Sequence, residues 1–272
     1  MKAGTPKSGW VRAWAIAAAI AMLALAPAHA QQPEPPKQPP SPAHPAIEPA
    51  ALAMLKATSE RLAGAKSMGF TAVTTYESPA RNGQPLYYTT LSEVLLERSD
   101  RLRVITPGDG PASDFYYDGK TMTAYAPAAN LVAVAAAPPS IDAAMRAAYD
   151  KAAIFFPFAE VIAADPYKNL SEGLTSAFVV GQSMVVGNTI TDMVAISNGR
   201  VEAEIWIGIK DGLPRMIRAI YPRDPTKSRY EIEFSDWRID PPVTAADFSF
   251  TPAAGMARMV FARPDAPAPG KP

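Results

Sequence analysis

Leu102-Arg103-Val104-Ile105, Asp114-Phe115-Tyr116-Tyr117, Thr121-Met122-Thr123-Ala124-Tyr125 and Leu131-Val132-Ala133-Val134 follow one another inside the stretch Arg98 to Ala136. Only Pro107-Gly108-Asp109-Gly110, Asp118-Gly119 and Pro127 to Asn130 separate them. Short runs rich in β-branched and aromatic residues, bounded by turn formers, read as strands. Strands this closely spaced pair only as an antiparallel meander, because a parallel crossover needs a dozen or more residues. That meander decides the fold class.

The same pattern extends outward on both sides. Upstream, Phe70 to Tyr76 and Leu86 to Glu97 form two strands joined through Arg81-Asn82-Gly83. Downstream come Phe178 to Val186, Ile190 to Ser197, Arg200 to Ile209, Arg215 to Tyr221 and Arg229 to Trp237, with hairpin signals at Asn198-Gly199 and Asp211-Gly212. Helices are few. Pro49 to Lys66 carries Leu52, Leu55 and Leu62 on one face, with proline in its first turn. Ser140 caps a second helix running to about Ala153, with Asp142 in its first turn. Phe155-Phe156-Pro157-Phe158 and Asp165-Pro166-Tyr167 break the next residues into short helical turns. The chain is therefore mainly β (α+β), with about 10–11 strands in a single curled antiparallel sheet.

Alternation along the strands separates an apolar face from a wet one. Ala203, Ile205 and Ile207 oppose Glu202, Glu204 and Trp206; Tyr230, Ile232 and Phe234 oppose Glu231, Glu233 and Ser235. So long a sheet has more apolar surface than these helices obviously cover. The excess forms either an apolar concavity, lined by residues such as Ile205 and Ile207, or a filled core. Phe155, Phe156 and Phe158 are either a lid over that concavity or part of the core.

The ends of the chain carry an address. Lys2, Lys7 and Arg12 precede the apolar run Trp14 to Leu25, and Ala28-His29-Ala30 supplies small residues for cleavage. Residues 1–30 read as an export signal cleaved near Ala30, which places the protein in the periplasm. Residues 31–49 are a proline-rich spacer, 50–262 one folded domain, and 263–272 a second unstructured tail. There is no cysteine, hence no disulfide and no lipidated N-terminal cysteine.

Composition narrows the chemistry. The only histidines are His29 and His44, outside the folded domain, which removes Ser-His and Cys-His nucleophiles, histidine-based zinc sites and thiol chemistry. Glu202 with Glu204, and Glu231 with Glu233, are spaced like acid/base pairs but read better as a solvated strand face. Asp109, Asp114 and Asp118 read as turn formers before they read as cation ligands. Gly119-Lys120-Thr121 lacks the first glycine and the following helix of a phosphate loop. No catalytic residue, metal or cofactor is assigned. Basic and acidic residues balance at 26 each, and loss of the signal leaves 23 against 26. Nucleic acid is therefore not a partner, and the chain reads as a monomer.

Asp114-Phe115-Tyr116-Tyr117-Asp118-Gly119-Lys120-Thr121, with Tyr125 and Pro127, resembles the strand-turn-strand of the periplasmic lipoprotein carriers (the LolA/LolB-like superfamily), as does Phe248-Ser249-Phe250-Thr251-Pro252. Leu52 to Phe70, Tyr116 to Lys120, Ile205-Trp206-Ile207, Leu213-Pro214-Arg215 and Asp236-Trp237 together resemble a family of predicted periplasmic proteins, domain of unknown function 2092, over roughly Ala50 to Phe261. Met193 departs from that pattern, standing where a histidine is expected. The resemblance implies a half-open barrel whose helices cover the concave, hydrophobic face, a face that in the carriers accepts acyl chains. It also implies that Arg103 points to the helices and holds a lid closed. On this reading the protein, without catalysis, binds a lipid or acylated protein through Arg103, Phe155, Phe156, Phe158, Ile205 and Ile207. The alternative is a periplasmic sensor or interaction module with an envelope protein partner, for which Trp206 and Trp237 are expected on the surface.

Overall fold

A computed structural model describes residues 46–108, 112–253 and 255–263. The expected signal segment, most of the spacer, Asp109, His44 and residues 264–272 lie outside them. A helix α1 (Pro49–Ala63) leads into the long hairpin β1 (Ser67–Pro79) and β2 (Pro85–Glu97). The meander follows as β3 (Arg101–Thr106), β4 (Ser113–Tyr117), β5 (Thr121–Ala126) and β6 (Leu131–Ala136). Three helices intervene: α2 (Ile141–Ala152), α3 (Ala159–Ile162) and α4 (Pro166–Ser171). Then come β7 (Ser176–Ser183), β8 (Thr191–Ser197), β9 (Glu202–Gly208), β10 (Pro214–Ile220), β11 (Arg229–Ile239) and β12 (Ala257–Met259).

All twelve strands form one sheet in the order β12-β6-β5-β4-β3-β2-β1-β11-β10-β9-β8-β7, and its two end strands do not pair, so it curls without closing. Every pairing is antiparallel except β12 on β6. That twelfth strand exceeds the expected count because three residues carry no periodic signal. A second unexpected pairing lies at the other edge. Ile47 bridges Ala177 in parallel, and Glu48 N–H donates to the Ala177 carbonyl at 2.7 Å, so Ala46–Glu48 pack on β7 rather than hang as spacer.

Two clusters of buried side chains sit on the inner face, the face that bears the helices. The larger joins Met68, Phe70, Val94, Leu96, Leu102 and Phe115 to Ile141, Ala148, Phe158 and Ile162. The smaller packs Ala51 and Leu55 of α1 onto Ala177, Val194, Ile205 and Ile207. Helix α1 reaches both because Ala51, Leu55, Thr58, Ser59 and Leu62 recur at helical spacing.

The outer face departs from the simple wet surface expected. A turn at Ala245–Phe248, capped reciprocally by Thr244 and Asp247, lies against β3. Phe248 is fully buried, and the Phe250 ring stacks on Tyr125 at 4.8 Å. Leu95, Thr123 and Val132 are buried there although their register turns them away from the helices. Two tryptophans correct the expectation as well. Trp206 is only 4% exposed, and Trp237 is half-buried with its Nε1–H donating to the Pro214 carbonyl at 2.9 Å.

Candidate functional site

At the meander end of the inner face the helices stop short of the sheet's edge. The gap is a cavity of about 310 Å3, small but within the range that holds a ligand. Its floor is the inner row of the meander, including Val104, Phe115 and Ala133; its roof is Phe155 to Phe158; its outer wall is Val260-Phe261 beyond β12. The alternation of β3 to β6 sends these small and apolar side chains to one face. Phe158 is anchored in the core, meeting Phe70 edge-on with centroids 5.6 Å apart, and Phe156 meets Phe115 at 4.9 Å. Phe155 is 61% exposed at the mouth, a large ring left in water where its two neighbours are buried.

The roof is tied down at both ends. Ahead of α2, Tyr117 Oη donates to the Pro138 carbonyl at 2.6 Å, and Ser140 Oγ accepts from Ala143 N–H. Burial, with Asp100 and Asp118 nearby, pushes the Tyr117 phenol up to about 12, so this donor stays protonated. Beyond α3, Arg98 clamps the chain. Its guanidinium donates to the Ile162 carbonyl at 2.9 Å and the Leu62 carbonyl at 3.3 Å, holding the ends of α3 and α1 to the end of β2. Its Nε is buried without a partner among the described residues. Burial lowers its pKa and the nearby Asp142 charge opposes that, leaving it charged. Asp142 in turn accepts from Ala164 N–H at 3.2 Å, joining α2 to α3.

The residues expected at the site are not all brought together. Phe155, Phe156 and Phe158 line the cavity. Ile205 and Ile207 lie beneath α1 in the smaller cluster, as filled core away from it. Arg103 corrects the expectation outright. Leu102 and Val104 face inward, so strand alternation turns Arg103 outward, where it donates to the Asp247 carbonyl at 3.3 Å and stands 4.0 Å from the Asp247 carboxylate. The clamp expected of Arg103 belongs to Arg98, which sequence reasoning missed. Strand parity was the available signal, since it forbids Arg103 from sharing the face of Leu102 and Val104.

The carboxylates lie elsewhere. Glu202, Glu204 and Glu231 line a separate cavity of about 700 Å3 on the outer face. Its charged rim does not suit an acyl chain, so size does not decide the apolar site. Asp118 is a turn former: it accepts from Lys120 and Thr121 N–H and from Thr121 Oγ1. Among the described residues no three His, Cys, Asp or Glu side chains converge as metal ligands, and no helix is long and apolar enough to cross a membrane.

Solved structures are similar only distantly, at low identity. An uncharacterized conserved protein from Thermus thermophilus has a TM-score of 0.44 at 12% identity, covering 78% of this chain and 99% of that one. The MucA/MucB complex of Pseudomonas aeruginosa gives 0.41 at 18%, covering 74% and 61%. The LolA superfamily protein NE2245 of Nitrosomonas europaea gives 0.37 at 7%, covering 74% and 97%. No curated protein matches. The family comparison is of a different kind, for it spans most of the chain, residues 51–262, and by it the protein belongs to the family described as Predicted periplasmic protein (DUF2092).

Proposed function

We propose that this is an exported, non-enzymatic periplasmic protein that shelters a lipid or lipoprotein acyl chain in the cavity beneath Phe155–Phe158. The observation that carries the reading is the cavity of about 310 Å3 between the apolar inner row of the meander and an exposed phenylalanine at its mouth. An apolar ligand there gains by leaving water. Burying about 12 methylenes at about 0.8 kcal/mol each gives on the order of 10 kcal/mol before ordering costs. The cavity is short for such a chain, so occupancy requires the roof to lift, which Arg98 and Asp142 restrain. The export signal, cleaved near Ala30, belongs to the same reading.

The test is native mass spectrometry of protein purified from its envelope, followed by lipid extraction, together with titration of a fluorescent fatty acid. Co-purified lipid and saturable binding that Phe155→Asp weakens are the expected results. A lipid-free protein that also ignores the fatty acid overturns the proposal. A protein-binding module is the second reading, favoured by Met184 and Val185, which stand 75% and 85% exposed beside the edge strand β7. Crosslinking in cells that recovers one abundant protein, unchanged by delipidation, would select it.

A further inference from the structure

One corner of the sheet presents a surface that neither the cores nor the cavity beneath Phe155–Phe158 uses. Strand β2 is longer than its neighbour β3, so Pro85 to Ser92 run past Glu93, its last residue paired there. Beside the tip of this hairpin lies the β10–β11 loop, tied to it where Arg229 N–H donates to the Glu77 carboxylate at 2.9 Å. Of the five exposed tyrosines among the described residues, four stand at this corner: Tyr76, Tyr87, Tyr88 and Tyr221. Leu86 is exposed with them. The Tyr88, Tyr76 and Tyr230 rings stack across three strands, with centroids 5.6 Å and 6.4 Å apart. An exposed cluster of side chains apolar in body and polar at the tip marks an interaction site, and it suits the boundary between water and hydrocarbon.

Charge is a second, independent observation at the same place. Arg81 in the hairpin turn, and Arg223 and Lys227 in the loop, are exposed and have no ion pair among the described residues. The acids here are already engaged. Glu77 faces Arg229 at 3.5 Å, and Asp224 accepts from Thr226 N–H and Oγ1. Arg81, Arg223, Lys227 and Arg229 against Glu77 and Asp224 leave an excess of two positive charges. The adjoining β8–β9 turn adds one charge of each sign, Arg200 and Glu202. The chain without its signal is acidic, 23 basic residues against 26, so the corner's sign opposes that of the whole. Such an asymmetry orients the molecule in a field of negative charge.

We propose that this corner docks the protein on an anionic lipid surface, with the tyrosines at headgroup level and Arg81, Arg223 and Lys227 over lipid phosphates. Docking does not require that the cavity hold a lipid. An uncharged bilayer meets only the rings, and an acidic protein surface meets only the charges. Tyr88 shares a face of β2 with Ser92, which lines the cavity four residues further on, a strand rise of about 13 Å. A docked molecule therefore holds that cavity close to the bilayer.

Co-sedimentation with vesicles tests this, one set of phosphatidylglycerol mixed with phosphatidylcholine and one of phosphatidylcholine alone. The protein used lacks residues 1–30, because an uncleaved apolar signal would itself bind lipid. It is expected to bind the anionic vesicles roughly tenfold more tightly at low salt, with affinity falling as salt is added. The triple variant Arg81→Gln, Arg223→Gln, Lys227→Gln is expected to lose roughly fivefold for each charge removed. Lys120→Gln, Lys151→Gln, Lys168→Gln removes the same charge elsewhere and is expected to leave binding within about twofold. Leu86→Ser with Tyr88→Ser is expected to weaken binding several-fold while keeping its salt dependence. Absence of binding to anionic vesicles, or equal binding to both sets, overturns the proposal with the wild-type protein alone. Equal losses in the two triple variants, each with an unchanged circular dichroism spectrum, or undiminished binding by the Leu86, Tyr88 variant, overturn it as well.

Discussion

The guanidinium of Arg98 joins three elements, the ends of β2, α1 and α3, through two helix-terminal carbonyls that have no other donor in their helices. Arg98→Met keeps the length of the stem and removes both bonds. It is expected to cost about 2 kcal/mol in urea unfolding and to speed release of a bound fatty acid, while Arg98→Lys recovers part of each. Arg103→Leu, whose partners lie at the outer surface, is expected to cost under about 1 kcal/mol and leave release unchanged. If the two arginines exchange these behaviours, the clamp is misassigned. Asp118 makes a prediction in pH. Burial opposes its charge, but hydrogen bonds from Thr121 and Lys120 prevail and hold its pKa below the ordinary value. A depressed carboxylate stabilises the fold above its unfolded pKa, near 3.9, and that stability is lost as pH falls through the lower folded value. Wild type should therefore exceed Asp118→Asn in stability at pH 6, and the gap should close towards pH 2. A gap independent of pH would refute this.

At the scale of elements, the strands most legible in the sequence are those whose signals are local. Period-two alternation and the turns at Asn198-Gly199 and Asp118-Gly119 place β4, β5, β8 and β9 to within a residue or two. Phe155, Phe156 and Phe158 stood out as a bulky cluster broken by Pro157 between helical segments, but nothing local told the exposed Phe155 from the buried Phe156 and Phe158. What escaped depends on partners distant in sequence. β12 is only three residues, all exposed, and exists because β6 offers an edge more than a hundred positions earlier. The turn Ala245–Phe248 has a capping pattern, Thr244 with Asp247, but nothing local says that it covers β3. Arg103 was misread by resemblance against its own strand parity. The C-terminal segment bounds the cavity and also packs Phe261 against the larger cluster. A chain ending at Pro252 is expected to lose about 2 kcal/mol of stability while releasing fatty acid several-fold faster. Equal release rates would show that the outer wall is not part of the site.

For the folded unit as a whole, the question is whether two cores on one sheet melt together. The larger cluster holds the meander to α2 and α3, and the smaller holds β7 to β9 to α1. Ile217 on β10 packs against both. Helix α1 contributes Leu62 to one and Ala51 and Leu55 to the other, so neither cluster can be exposed without disturbing the same helix. Separation along the sheet would also break a ladder such as β10 with β11 and leave buried Ile232 at an open edge. These shared elements favour one cooperative transition, even at a size where independent subunits of structure are common. The two tryptophans of the folded domain report on the two halves: Trp206 lies on β9 between Ile205 and Ile207, and Trp237 packs against the larger cluster. In protein lacking residues 1–30, Trp206→Phe and Trp237→Phe each leave a single reporter. Within each variant, fluorescence and circular dichroism are expected to give the same urea midpoint and slope. A fluorescence midpoint below the circular dichroism midpoint in the variant retaining Trp206 would show that β7 to β9 open while the meander stays folded.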